Sequence, residues 1–403
     1  MKINIKKGLD LSSPFFIYVS MWSLLLYLYN LRVMDYYIGL NKTTLFLVIG
    51  SFITFAFGWL IIRIIFKKRS VFQIDKITSN QTSNLLKWLN KFLKIWLIGM
   101  FLTVIIQGGF PLLWMITGVD KSYADFGFAS IHGFLTSFYL FSILGYFFVY
   151  LKTKQKKYLI IILLLLLYPI LAIHRSIMVV VVFEFLGIYL FVKRIQLKNI
   201  LKVLLLFFAF IYAFGALGDY RLNNKTDFLY DWINDDYKES FEKIPSGFLW
   251  GYIYYTASLD NIVYNIDTIK PLYYPYHSTA ALFPSVLRRI IYPEQTYEEK
   301  YSMKMSNPVI NTFTYFANYI KDFGILFTLF IVFNLQLFIW YTYIRAKNNN
   351  LGAALAYPAF FMALMLSTFA DFFANLVVIF QIILAFYVGR RISKSKTQNY
   401  VKR

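Results

Sequence analysis

Apolar runs alternate with short polar breaks along most of the chain. Each run is close to the roughly 20 residues that cross the hydrocarbon core of a bilayer. Ten helices are predicted from them, at 14–31, 44–66, 93–113, 128–151, 158–173, 176–192, 201–217, 323–344, 352–369 and 372–389. One stretch, 218–322, breaks the pattern and is mostly hydrophilic. The expected class is therefore an all-α polytopic membrane protein in three parts. These are a membrane domain of seven helices over 1–217, a large loop over 218–322, and a second membrane domain over 323–403 with three helices and a basic tail.

The charges orient this scaffold. Basic clusters lie at Lys2–Lys7, Lys67–Lys94, Lys152–Lys157, Lys193–Lys202, Arg345–Lys347 and Arg390–Arg403, at the ends of apolar runs. Lys and Arg accumulate in short cytoplasmic loops, which predicts both termini inside and the large loop outside. Of the 20 acidic residues, 13 fall between Asp219 and Asp322. Two segments, 158–192 and 348–389, have basic clusters at both ends, so each must cross twice. Their turns, near His174-Arg175 and near Asp371, then reach the outer face.

Composition agrees. Of 403 residues, 59% are hydrophobic and 15% charged, which does not describe a soluble globular domain. The net charge of +21 does not point to nucleic acid, because the basic residues flank membrane spans and face anionic lipid. Cysteine is absent, which removes disulfides, thiolate metal sites and cysteine nucleophiles. Lys2–Lys7 followed by Phe15–Leu31 reads as a retained first helix, since Tyr29-Asn30-Leu31-Arg32 does not suit signal cleavage. The cytoplasmic loops carry no glycine-rich phosphate loop and no room for a nucleotide-binding domain.

The large loop holds most of the candidate chemistry, and loops this long are usually functional. Its aromatic run Phe248–Tyr264 is expected to lie on the membrane surface as an interfacial helix. Arg288 and Arg289, set between aliphatic residues, suit a diphosphate, because guanidinium binds phosphate through paired hydrogen bonds. They suit lipid headgroups equally well. Arg175, beside His174 at a tight turn near the top of the hydrocarbon layer, has the same two readings, site or anchor. Arg221 completes a cationic cradle with them or pairs with Asp219. His277, in Tyr273-Tyr-Pro-Tyr-His277, is the candidate general base, as an imidazole accepts a proton near neutral pH. His132 is a weaker candidate. Glu184, mid-helix, is expected to face the bundle interior, as a transporter's proton carrier or a structural acid. Asp35 is the lone acid of the first outer loop, and no metal site is expected.

The layout resembles the bacterial oligosaccharide repeat-unit polymerases that build O-antigen and capsule. Ten or more helices, one late outer loop and a basic inner face carry the resemblance. So do three local stretches: Gly108-Gly-Phe-Pro-Leu112, Phe283-Pro-Ser-Val-Leu-Arg-Arg289, and Asn311-Thr-Phe-Thr314 followed by Lys321-Asp-Phe-Gly324. A GT-C-like bundle is compatible with this layout.

The resemblance implies a glycosyltransferase of the bacterial plasma (inner) membrane that extends glycans carried on undecaprenyl pyrophosphate. It implies no cofactor and no nucleic-acid partner. Membrane lipid, a chain-length regulator and a flippase are the expected neighbours. His277, Arg288 and Arg175 would be catalytic. Arg289, Arg221, His174, Tyr273, Tyr274 and Asp371 would bind substrate, and Tyr252, Tyr254 and Tyr255 would stack on sugars. An O-antigen ligase and a GT-C-type transferase share this donor chemistry. A glycolipid flippase or solute transporter would need little of 218–322.

Overall fold

The computed structural model describes residues 10–66, 71–193, 205, 208–209, 211–212, 215–216, 219, 227–241, 243–293, 303–307 and 310–401. Among these the regular structure is helical, and one isolated antiparallel bridge joins Met34 to Ile233. Among the described residues six helices are long and apolar enough to cross a membrane, so the chain is a multi-pass membrane protein by length and composition. Arg221 and nearly all of the predicted helix 201–217 lie outside the described residues.

Local sequence sets the boundaries. The first two helices are α1 (Pro14–Asn30) and α2 (Lys42–Ile65), the latter capped by Asn41, whose side chain accepts from the Thr44 amide at 2.8 Å. Helix α3 (Ser79–Gln107) begins well before the predicted 93, because Thr78 and Gln81 form a reciprocal capping box. It stops at Gly108, which takes the left-handed conformation a helix end requires. A short α4 (Pro111–Thr117) starts on proline. Next come α5 (Ile131–Thr153), α6 (Lys156–Leu165), α7 (Leu167–Leu171) and α8 (Arg175–Val192). The predicted helix 158–173 is thus divided, ending in a turn at 172–174 where Ile173 has φ +53°. A β-branched residue in that region is strained.

In the large loop lie α9 (Asp227–Asp231), α10 (Asp235–Phe241), α11 (Ser246–Asn265) and α12 (Ser285–Ile291). The last three helices are α13 (Phe316–Lys347), α14 (Leu351–Met365) and α15 (Leu376–Val401). Helix α14 is buried from Leu351 to Leu364 and packs against α15, α8, α13 and α1. It is the central post of the bundle.

The run predicted to lie on the membrane surface is instead a bundle helix. Most of α11 is buried, including Thr256, Ser258, Asp260, Asn261 and Asn265. The physical reason is that its polar groups find protein partners. Tyr252 and Tyr255 donate to the α1 carbonyls of Leu28 (2.9 Å) and Met21 (2.6 Å), and Tyr29 donates to Asp260 at 2.5 Å. Asn261 donates to the carbonyls of Ile310 and Thr312. With their hydroxyls committed to α1, Tyr252 and Tyr255 brace the bundle and are not displayed for a sugar.

The breaks between helices sort into two groups by contact. At one end, Asp35 and Asn234 amides pair with the carbonyls of Trp232 and Val33, and Asn41 and Thr43 bond Asp267. At the other end, Lys347 pairs with Asp10 at 3.0 Å, Gln73 bonds Asn349, and Lys152 pairs with Asp75 at 3.6 Å. The first group contains the large loop and the second contains most of the basic clusters.

Candidate functional site

The large-loop end gathers side chains from segments far apart in sequence. Asp322, fully buried near the start of α13, accepts three hydrogen bonds from the 277–278 turn. They come from the His277 amide at 3.0 Å, the Ser278 amide at 2.7 Å and the Ser278 hydroxyl at 2.6 Å. Two residues on, Gly324 (φ +73°, ψ −179°) interrupts α13, and a Cβ there would meet Pro271 Cγ at 3.0 Å. This backbone conformation belongs essentially to glycine.

Asp322 holds the backbone of His277 and leaves its ring for other partners. The ring meets Tyr276 edge to face at 4.9 Å, and its buried Nε2 has no hydrogen-bond partner. Burial, together with the charge of Lys321, lowers its pKa to about 4. At neutral pH it is an uncharged imidazole with an unused nitrogen, which a hydroxyl donor could satisfy.

The arginine pair is tied to this turn. Tyr292, just past α12, bonds Thr279 Oγ1 at 2.5 Å and donates to the Pro275 carbonyl at 3.1 Å. At its other end α12 is capped by Ser130, whose Oγ accepts from the Val286 amide at 3.0 Å and lies 2.9 Å from Ser285 Oγ. Between these ties Val286, Leu287, Arg288, Arg289, Ile290 and Ile291 are all exposed. A helix with both aliphatic and guanidinium groups uncovered suits the boundary between headgroups and acyl chains. Tyr273 is 77% exposed with φ +53°, and Tyr274 is exposed beside Tyr292.

Ser130 also leads to the turn that carries Arg175. Two residues later His132, near the start of α5, meets His174 edge to face at 5.7 Å, and Tyr168 OH lies 3.5 Å from His132 Nε2. Burial lowers the pKa of His174, which caps α8 immediately before Arg175. Asp371 joins from the turn before α15. It accepts from the Phe373 and Ala374 amides at 3.0 and 3.1 Å and is approached by Asn318 and Tyr319, one helical turn before Asp322. Burial raises its pKa to about 6 against the lowering effect of the Ala374 amide, Asn318, the Phe373 amide and Tyr319.

Contacts and short steps along the chain therefore link Asp371, Asn318, Tyr319, Asp322, His277, Tyr276, Tyr292, the Arg288-Arg289 helix, Ser130, His132, His174 and Arg175. Asp322, Ser130 and Tyr292 were not singled out from sequence, although Asp322 lies inside the Lys321–Gly324 stretch. Glu184 sits elsewhere, fully buried in α8, and accepts from Gln381 of α15 at 3.0 Å. Asp35 is exposed, and a buried acid, Asp260, accepts from the Ile38 amide in the loop between α1 and α2. Among the described residues, no three His, Asp or Glu side chains are grouped as a metal site would need. No family profile matches the chain, and neither a curated protein nor a solved structure does.

Proposed function

We propose that the chain polymerises oligosaccharide repeat units carried on undecaprenyl pyrophosphate, on the outer face of a bacterial plasma membrane. The reading includes ten crossings with both termini inside. Support for that orientation comes from the sorting of most basic clusters to one end and the large loop to the other. The observation that carries the function is the path, through Tyr276 and Tyr292, from the unpartnered Nε2 of His277 to the exposed arginine pair of α12.

In this reading the pyrophosphate of the donor enters from the leaflet. Arg288 and Arg289 grip it bidentately, with Arg175 as the second cationic group and the neutral His174 ring beside it as a hydrogen-bonding partner. The acceptor hydroxyl attacks the anomeric carbon and gives its proton to His277 Nε2. The bond from that carbon to the pyrophosphate oxygen breaks, and the lipid pyrophosphate departs. Fixed guanidinium groups contribute most as charge develops on this leaving group. A pKa near 4 makes His277 a weak base on its own, but an approaching pyrophosphate would raise it. Tyr273 and Tyr274, being exposed, are placed to contact sugars.

The test is deletion of the gene in its host, with the surface polysaccharide sized on a gel. Collapse of the ladder to single repeat units, restored by wild type and not by Arg288→Ala/Arg289→Ala, is the expected result. Loss of the single unit as well would instead indicate ligation, flipping or repeat-unit assembly.

A further inference from the structure

At the end opposite the candidate site, two basic stripes from distant parts of the chain come together. Helix α3 contacts α15, and Trp88 meets Tyr387 edge to face at 5.6 Å. Lys87, Lys91 and Lys94 recur at i, i+4 and i+7, so they share one face of α3. Leu85, Leu89 and Phe92 are buried on its other face. On α15, Arg390, Arg391 and Lys394 are exposed around the buried Ile392.

Two of these cations lie over the aromatic pair. Lys91 Nζ lies 5.3 Å from the Trp88 ring centroid and Arg391 Cζ lies 5.2 Å from that of Tyr387. Neither helix contains an acidic residue, and none occurs between Asp75 and Asp120 or after Asp371. Asp75 itself pairs with Lys152. Among the described residues none of the six cations forms an ion pair. One or two turns away, Ile95, Leu97, Ile98 and Phe101 of α3 and Ile383 of α15 are exposed apolar groups, which in a bilayer belong against acyl chains. The six charges and the Trp88–Tyr387 pair therefore lie at headgroup depth, where tryptophan and tyrosine concentrate.

We propose that the α3–α15 corner binds an acidic phospholipid, with a two-phosphate headgroup bridging the stripes in preference to a single phosphate. A cluster of unneutralised cations on two packed helices repels itself, and a multivalent anion at the same depth removes that repulsion. A zwitterionic headgroup does not.

The test uses the purified full-length protein in neutral detergent, titrated with cardiolipin, phosphatidylglycerol, phosphatidylcholine or inorganic pyrophosphate. Binding is read by native mass spectrometry and by the melting midpoint. Cardiolipin is expected to bind tightest and raise the midpoint, phosphatidylglycerol less at equal phosphate, and phosphatidylcholine not at all. Lys87→Gln/Lys91→Gln/Lys94→Gln and, separately, Arg390→Gln/Arg391→Gln should each weaken cardiolipin by about tenfold or more, given roughly 1 kcal/mol per basic residue near an anionic surface. Lys156→Gln/Lys157→Gln, exposed on α6, should change it little. Equal losses in all three variants would reduce the effect to overall charge and overturn the site. So would equal binding of phosphatidylcholine, while full reproduction by pyrophosphate alone would overturn the lipid assignment.

Discussion

The carboxylate of Asp322 accepts the backbone amide of His277 at 3.0 Å, across 45 residues of sequence. With the two bonds from Ser278, this fixes the turn carrying the candidate base against the first turns of α13. Asp322→Ala would orphan two backbone donors and a hydroxyl in a buried place, at about 1–3 kcal/mol for each lost partner. The expected result is a clear fall in the melting midpoint together with loss of polymer. Asp322→Asn, which keeps an acceptor, should lose less stability.

The His277 ring predicts an acid-side instability. Its folded pKa, about 4, is below the unfolded value of 6.5. The stability tied to its neutral form is therefore present above about pH 6.5 and is lost as pH falls toward 4. Burial, then the charge of Lys321, sets this shift; Tyr276 packs against the ring and Asp322 holds only the backbone amide. Melting curves from pH 7.5 to 4.5 should show a shallower decline for His277→Gln than for wild type. Equal slopes would remove His277 as a source of the dependence.

Arg288 and Arg289 separate function from folding. Both are exposed, and substitutions at such positions usually change stability by less than about 0.5 kcal/mol. Each Arg→Ala change should lower polymer formation by about tenfold or more, since a lost charge-assisted bond is worth about 1.5–3 kcal/mol. The melting midpoint should hardly move. Arg288→Lys should recover only part of the activity, because an ammonium cannot make the bidentate contact.

Gly324 is the backbone counterpart. Its φ of +73° with ψ of −179° excludes side chains, and an added Cβ would sit 3.0 Å from Pro271 Cγ. Gly324→Ala should cost about 1–3 kcal/mol. Gly118→Ala, at a left-handed cap with open space around it, should cost less. Paired thermal melts decide between them.

Much of the scaffold was legible because its causes are local. Apolar run length marks the spans, and the turns at 172–174 and near Asp371 follow from basic residues flanking both hairpins. The early start of α3 was hidden behind lysines, although Thr78 and Gln81 carried the capping signal. The run 248–264 misled because aromatic content alone cannot tell a headgroup from a protein partner. What ties α11 into the bundle is a set of bonds with α1, over 220 residues away: Tyr29 donates to Asp260, and the Leu28 and Met21 carbonyls accept from Tyr252 and Tyr255. Arginines 288 and 289 stood out as charges among aliphatic residues. The links that join them to His277 and His174, through Tyr292 and Ser130, are tertiary and leave no local pattern.

The most direct test of the central claim is reconstitution of the purified protein with synthetic undecaprenyl-pyrophosphate-linked repeat units. The quantities to measure together are glycosidic linkages formed and undecaprenyl pyrophosphate released. One pyrophosphate lipid per linkage, abolished by Arg288→Ala/Arg289→Ala in a protein of unchanged melting midpoint, is the predicted result. Absence of release and of linkage with a folded wild-type protein would contradict the account.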